Sequence, residues 1–488
     1  MFGEKEFISL SLILHTHTHT HTRYGVPRYQ EANPALFSCV TFPFLFGVMF
    51  GDVGHGILLF LVALTLVMFE KRLEGKDLGE VPGMLYTGRY MLLLMGIFAT
   101  YCGLVYNECF CLPLNLFGTI YEKIPETNNQ SAYYLIKDDP GWVIAKPAPV
   151  YSFGIDPTWH VAENELTFIN SYKMKTSVIL GVLQMTLGIL VKFTNAFHFK
   201  EKNVLYFECI PQLLFMGCLF VYLIILIVVK WCTDWTKMKG VPNLINTMIN
   251  MPLQMGARGD EAPAYNAALQ DTLQPILLAV ALLSVPMMLI PKPLIEYYAH
   301  KKDHHDSSST RGRSHTPLHV LEHGKEEKEG LVESSKVDDA DTYLDEEDNE
   351  EDDEEEAHSL GDLFIHQGIE TIEFVLGCVS NTASYLRLWA LSLAHAELAK
   401  TFWDLLMAGM INAGGGANFI MVFAGYSAWA AVSVFVLMCM DSLECFLHAL
   451  RLHWVEFQNK FYKADGYAFV PFVFRPMDVI LQQRNSGM

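Results

Sequence analysis

Apolar residues in this chain gather in blocks near twenty residues long, separated by polar stretches rich in proline and glycine. A helix crosses the ~30 Å hydrocarbon core of a bilayer in about 20 residues. Lipid offers no hydrogen bonds to an open backbone, so such blocks are predicted to be helices. Residues 37–69 are too long for one crossing and are interrupted by Gly51-Asp52-Val53-Gly54-His55-Gly56. They read as two spans, or as one long helix bent at the glycines. Further spans are predicted at 90–104, 178–191, 210–229 and 272–290, the last ended by Pro291 and Pro293. Two much longer stretches follow, 362–410 and 418–461, parted by Gly414-Gly415-Gly416. The pattern predicts an all-α, polytopic transmembrane helical protein of about eight spans, the last two long and tilted.

The polar segments divide the chain. Residues 1–23 read as a low-complexity, non-native segment. Residues 24–300 hold the first six helices and a large loop at 107–173. Residues 301–361 read as a disordered acidic cytoplasmic linker, 362–461 as two long channel-forming helices, and 462–488 as a cytoplasmic C-terminal tail. Short loops carrying Lys71, Arg72, Lys76, Lys200, Lys202, Lys292, Lys301 and Lys302 mark the cytoplasmic side. Lys230, Lys237 and Lys239 run against that rule. The 107–173 loop then faces the lumen or exterior, where the Asn129-Gln130-Ser131 sequon makes Asn129 a glycosylation candidate. Eight crossings leave both termini cytoplasmic.

Composition agrees with the pattern. Of 488 residues, 51% are hydrophobic and only 18% charged, too few charges to cover a soluble domain of this size. The net charge of −20 comes mostly from residues 322–356, where 19 acidic residues face three lysines. It marks a solvated linker, not a basic partner. The ten cysteines sit mostly in or beside apolar blocks, and the Cys109 and Cys111 pair at a span end leaves a redox or metal role open. The tract from His15 to Thr22 repeats His-Thr four times. His15, His17, His19 and His21 could bind a metal, but a CA dinucleotide repeat translates as the same tract, and that reading is preferred. Residues 8–14 lack the flanks of a signal peptide.

Arg387 is the only charged residue from Phe374 to Ala396. An arginine near mid-bilayer costs about 2.5–3.5 kcal/mol on the lenient insertion scale. Its pKa lies above ~12, so it holds a fixed positive charge and relays no proton. Its neighbours on the helix face, Ala383, Ser384, Ala390 and Leu391, include no acid, so its counter-charge is sought on another helix or another chain. A buried carboxylate passing it would see its pKa fall by roughly 1–3 and release its proton. A static pairing, or snorkelling to a headgroup, is the plainer alternative. His366, Glu370, Glu373, Ser380, Ser384, Arg387 and His395 form a polar stripe on this helix. Asp441, Glu444, His448 and Arg451 recur at steps of three and four on the next. Glu373 lies ~21 Å along the helix before Arg387. Facing stripes of this kind line water-filled paths, which makes Glu373, Asp441, Glu444, His395, His448 and Ser384 candidate half-channel residues. Static ion pairs at the membrane end are the alternative for Arg451 and Glu456. Asp52 and His55 either relay protons or satisfy open backbone at the helix break; the second is expected.

No phosphate-binding loop, nucleotide fold or nucleophile constellation is present, so the chain is expected to hydrolyse nothing by itself and to bind no nucleotide, nucleic acid or cofactor. The run Thr382-Ala383-Ser384-Tyr385-Leu386-Arg387-Leu388-Trp389-Ala390-Leu391-Ser392-Leu393-Ala394-His395-Ala396 resembles the signature of the vacuolar-type proton ATPase subunit a family. So do the segments from Tyr24 to Ala35, Phe42 to Gly56, Tyr151 to Trp159 and Leu450 to Phe457; the resemblance runs from about Tyr24 to Phe474. It implies a membrane-sector stator beside a rotating ring of proteolipid subunits, within an ATP-driven proton pump of vacuole, lysosome, endosome or Golgi. It implies two offset half-channels separated by Arg387, with Arg451 as the supporting arginine and Glu373 as a channel glutamate. Other membrane and stalk subunits and the lipid bilayer are the remaining implied partners.

Two departures from that family stand out. Its large cytoplasmic N-terminal domain has no counterpart here, and the His-Thr tract stands where it should join, so a fragment or a mispredicted gene start is expected. Asp441 stands where the family has glutamate, a shortened carboxylate with Glu444 nearby. A stand-alone secondary transporter and a non-conducting membrane scaffold are the competing readings. No internal repeat of the transporter kind is visible between the halves.

Overall fold

The computed structural model describes residues 28–73, 80–118, 137–138, 141–142, 151–162, 164–233, 235, 240–256, 262–295, 297–298, 360–412, 418–462 and 466. The His-Thr tract, Asn129, the acidic linker, the triple glycine and most of the C-terminal tail lie outside them. Eight apolar helices dominate: α1 (Pro34–Phe50), α2 (Val53–Met68), α3 (Arg89–Tyr106), α4 (Glu165–His198), α5 (Lys202–Cys232), α6 (Ala267–Ile295), α7 (Leu363–Ile411) and α8 (Phe419–Lys460). The last six are long and apolar enough to cross a membrane; α1 and α2 are apolar but shorter. The protein is an all-α, multi-pass membrane protein.

The first apolar block breaks where expected. Gly51 ends α1, and Asp52 takes extended dihedrals (φ −130°, ψ 130°) as the N-cap of α2. Two expected boundaries shift. α4 begins at Glu165, so the loop expected to reach 173 is shorter. Pro291 and Pro293 do not end α6: its helix pauses at Ile290 and resumes to Ile295. Proline fits a first helical turn, where its missing N–H would have no partner. α7 is 49 residues long, ~74 Å at 1.5 Å per residue, far beyond one bilayer thickness. π-helical turns interrupt the long helices at Leu205–Cys209, Gly217–Val221, Asp404–Ala408, Ser433–Asp441 and Leu452–Phe457.

The chain forms two compact units, residues 1–177 with 386–488, and residues 178–385. In the first, α3 lies against α1 and α2. A Cβ on Gly103 would meet the Val53 nitrogen at 2.3 Å, and one on Gly96 would meet Phe60 Cα at 2.7 Å. Glycine there lets backbones touch, which is how membrane helices gain packing that lipid cannot replace. The end of α8 packs on α1, with Phe446 edge-on to Phe42 at 5.2 Å and the Thr41 hydroxyl 2.7 Å from Nε2 of the buried His453. A hairpin follows α3: β1 (Glu108–Cys109) pairs antiparallel with β2 (Leu112–Pro113). In the second unit, Tyr222, Leu226 and Ile227 of α5 build a core with Leu244, Met251, Ala264 and Leu278. The Gln274 amide donates to the Tyr222 hydroxyl at 3.2 Å.

Candidate functional site

The hairpin turn carries the most strained backbone near the site. Phe110 and Cys111 both have positive φ, 49° and 70°, at the two positions where tight hairpins prefer Asn-Gly. Strain of this kind persists where surroundings over-determine it. Here Oδ1 of Asp52 accepts from the Phe110 nitrogen at 3.2 Å, as well as from Gly54 and His55 at 2.7 and 3.2 Å. The turn sets the Phe110 ring 4.9 Å from His55. Asp52 therefore satisfies open backbone at the helix break, as the sequence suggested, and does more than that. Its side chain and that of His55 converge with His395 of α7, all three nearly inaccessible to solvent.

His395 and Asp441 join the two long helices: Nδ1 lies 2.5 Å from Oδ2, both buried. The carboxylate accepts, so Nδ1 carries the proton. Asp441 is the last residue of the π turn in α8, and π turns recur at functional sites. Beside this cluster lies a cavity of about 220 Å³ walled by Glu108, His160, Glu165, Lys400 and Asp404, with Asp52 reaching its lining. Lys400 reaches Glu165 at 2.7 Å, and His160 reaches the same carboxylate at 2.9 Å. Cys111 also lines the cavity. Burial pushes its thiol up to about 12 and raises that of Cys109, so the pair is protonated at neutral pH. None of the ten cysteines is in a disulfide.

Arg387 is half-buried, and its Nη1 is fully enclosed with no hydrogen-bond partner. Among the described residues no carboxylate lies within ion-pair distance of it. Its electrostatic neighbours are Arg451 and the buried Glu456. The stripe on α8 is not uniformly buried. Asp441 turns inward, whereas Glu444 and Arg451 are exposed and His448 is half-buried, 3.7 Å from Glu444. A three-residue step leaves about 60° of rotation on an α-helix, enough to carry Glu444 off the buried side. Ser384 is half-buried and Glu373 exposed.

Two buried charge groups escaped the sequence reading. In the first unit, Lys173 is enclosed, 3.2 Å from Glu108 and 4.7 Å from the centre of the Tyr106 ring. In the second, Glu208 holds both Lys192 and Lys292, the latter at 3.0 Å, and Lys292 also reaches Glu370 at 3.3 Å. Lys292 lies in the resumed last turn of α6, not in a loop. The ends of α4 and α6 and the starts of α5 and α7 meet in this network. Glu208 and Lys192 each interrupt an apolar run, the same signal that singled out Arg387, and that signal was available for them too.

Comparison with known proteins agrees with the motif resemblance. The chain is 42% identical to human V-type proton ATPase 116 kDa subunit a 4, over 93% of this chain and 54% of that protein. It is 43% identical to V-type proton ATPase subunit a3 of Arabidopsis thaliana, over 92% and 50%. It is 42% identical to the vacuolar proton translocating ATPase 100 kDa subunit of Dictyostelium discoideum, over 92% and 50%. The chain thus spans about half the length of these curated relatives. The V-type ATPase 116kDa subunit family matches residues 18–474, which takes in all eight apolar helices, the cluster around His395 and the unpaired Arg387: the chain belongs to that family.

Proposed function

We propose that this chain is the proton-translocating stator subunit of a rotary vacuolar-type ATPase, working in an endomembrane with both termini cytoplasmic. The observation that carries the reading is Arg387, a permanent cation whose enclosed Nη1 has no hydrogen-bond partner and whose electrostatic neighbours are a second arginine and Glu456. A guanidinium with an open Nη1 gains from a further acceptor, and an intramembrane carboxylate on a rotating proteolipid ring has the required chemistry. Beside the arginine such a carboxylate loses its proton, since an adjacent opposite charge lowers its pKa by roughly 1–3. Away from it, desolvation favours reprotonation.

Two half-channels feed that exchange. The cavity walled by Glu108, His160, Glu165 and Lys400, with Asp52, His55, His395 and Asp441 beyond it, fits the luminal one. His395 and Asp441, joined at 2.5 Å, stand at its inner end. Glu373, exposed on α7 before Arg387, serves the other, with Ser384 lining the way and Glu444 and His448 on the outer face of α8. Arg451, close enough to repel Arg387, holds the guanidinium toward the ring instead of letting it settle on Glu456. ATP is hydrolysed by other subunits.

The test is Arg387→Ala in the assembled complex. Vesicle acidification is expected to fall at least a hundredfold while the chain still co-purifies with a proteolipid ring. Normal acidification by an assembled Arg387→Ala complex would overturn the mechanism. A chain that purifies alone and transports a substrate in proteoliposomes would replace it with a secondary transporter.

A further inference from the structure

The side chains of Asp52, His55 and His395 bring one carboxylate oxygen and two ring nitrogens within 4.8 Å of one another. All three are buried, at 2%, 1% and 1% exposure. Nδ1 of His55 pairs with Oδ2 of Asp52 at 3.1 Å, whereas Nε2 of His55 and Nε2 of His395 have no hydrogen-bond partner. Buried polar atoms are almost always satisfied, so two Nε2 atoms without a partner beside one carboxylate point to a ligand. We propose that this cluster is a binding site for a transition-metal dication, zinc above all.

The second layer of contacts supports this assignment atom by atom. Oδ1 of Asp52 is occupied by three backbone N–H groups, which leaves Oδ2 to face the histidines. Asp441 takes the Nδ1 proton of His395 at 2.5 Å, which leaves the Nε2 lone pair for a metal. That is the carboxylate–histidine–metal arrangement that orients ligands and raises their basicity. Asp52 and Asp441 together supply two negative charges against the two of the cation. Phe50, 4.6 Å from His395, and Phe110, 4.9 Å from His55, wall the site with apolar rings. Two imidazoles and one carboxylate suit zinc, with the fourth position left to water, and do not suit magnesium or calcium, which take oxygen ligands. Zinc bonds of ~2.0–2.1 Å need ligand atoms about 3.4 Å apart, so binding draws the three side chains together by roughly an ångström.

The site stands whether or not the chain conducts protons, and its test reads metal directly. The intact membrane complex is stripped with a chelator, equilibrated with zinc chloride and desalted. A cryo-electron microscopy map of the zinc-loaded complex is expected to show density bridging Asp52, His55 and His395, absent after chelation. Zinc counted by mass spectrometry is expected to fall by one ion per chain in the His55→Gln, His395→Gln double variant. Taking this difference cancels zinc held by the His-Thr tract. Asp441→Asn is expected to keep the ion with affinity weakened about 10–100-fold. No bridging density in the zinc-loaded parent, or equal zinc in a folded double variant, would overturn the assignment and leave a water-filled cluster.

Discussion

Two sets of charges are built into the apolar helices, and they are built on opposite principles. Lys192, Glu208, Lys292 and Glu370 alternate in sign, and each lies within ion-pair reach of an opposite charge inside its own unit. Arg387 has a second arginine and the buried Glu456 as electrostatic neighbours, and its enclosed Nη1 has no hydrogen-bond partner. The first set is complete and fixes where four helix ends meet. The second leaves Nη1 open, and on the proposed mechanism its energy depends on what approaches from outside. A closed network of buried charges serves the fold; an open one is available for work. Removing a member should therefore harm the fold in the first case and the activity in the second.

The largest effect expected on the fold is Glu208→Ala, which leaves Lys192 without its carboxylate and Lys292 with Glu370 alone. Stranding buried charge costs about 3–5 kcal/mol. The variant chain should be lost from membranes, or show a strongly lowered thermal midpoint in detergent. Arg387→Ala should leave that midpoint unchanged, and a drop equal to that of Glu208→Ala would erase the distinction between the two sets. Next comes Gly103→Ala, where the new Cβ meets the Val53 backbone at 2.3 Å. Overpacking of this kind costs ~1–3 kcal/mol, readable as a lowered midpoint with the proton flux per assembled complex retained. Asp441→Asn should slow vesicle acidification about tenfold, a loss of ~1.4 kcal/mol, while Asp441→Glu restores it; equal rates for asparagine and aspartate would remove His395 and Asp441 from the proton path. The smallest effect is expected of Glu444→Ala. Glu444 is exposed, and its 3.7 Å contact with His448 is of the weak helix-surface kind, worth about 0.3–0.5 kcal/mol. The thermal midpoint in detergent should stay unchanged.

The same contrast shows why some of this was legible beforehand. Arg387 was found because one cation stood in a long apolar run. Glu208 satisfied the same test, but it lies near the start of its span with Lys200 and Lys202 close by, where a charge reads as part of the loop. Asp52 was legible as a cap because an acid between glycines at a helix break has an evident local use. That it also faces His395 could not be read, since 343 residues of chain separate them and no local pattern encodes the approach. The stripe on α8 was legible as a periodicity but not as a direction. Asp441 is buried and Glu444 exposed, and which of them turns inward depends on what packs against the helix, which spacing alone does not encode.

The sequence by itself determined the membrane-spanning helices, the break at Gly51 and Asp52, the isolation of Arg387 and the family. Each follows from local rules: lipid forbids open backbone, glycine and aspartate end helices, and a lone cation in apolar sequence is costly wherever it lies. The tertiary structure alone decided who meets whom. It paired His395 with Asp441, brought His55 and Asp52 beside them, and closed Lys192, Glu208, Lys292 and Glu370 into one network. Those contacts depend on how helices pack, and packing is set by shape complementarity between segments distant in the chain, which no single segment contains.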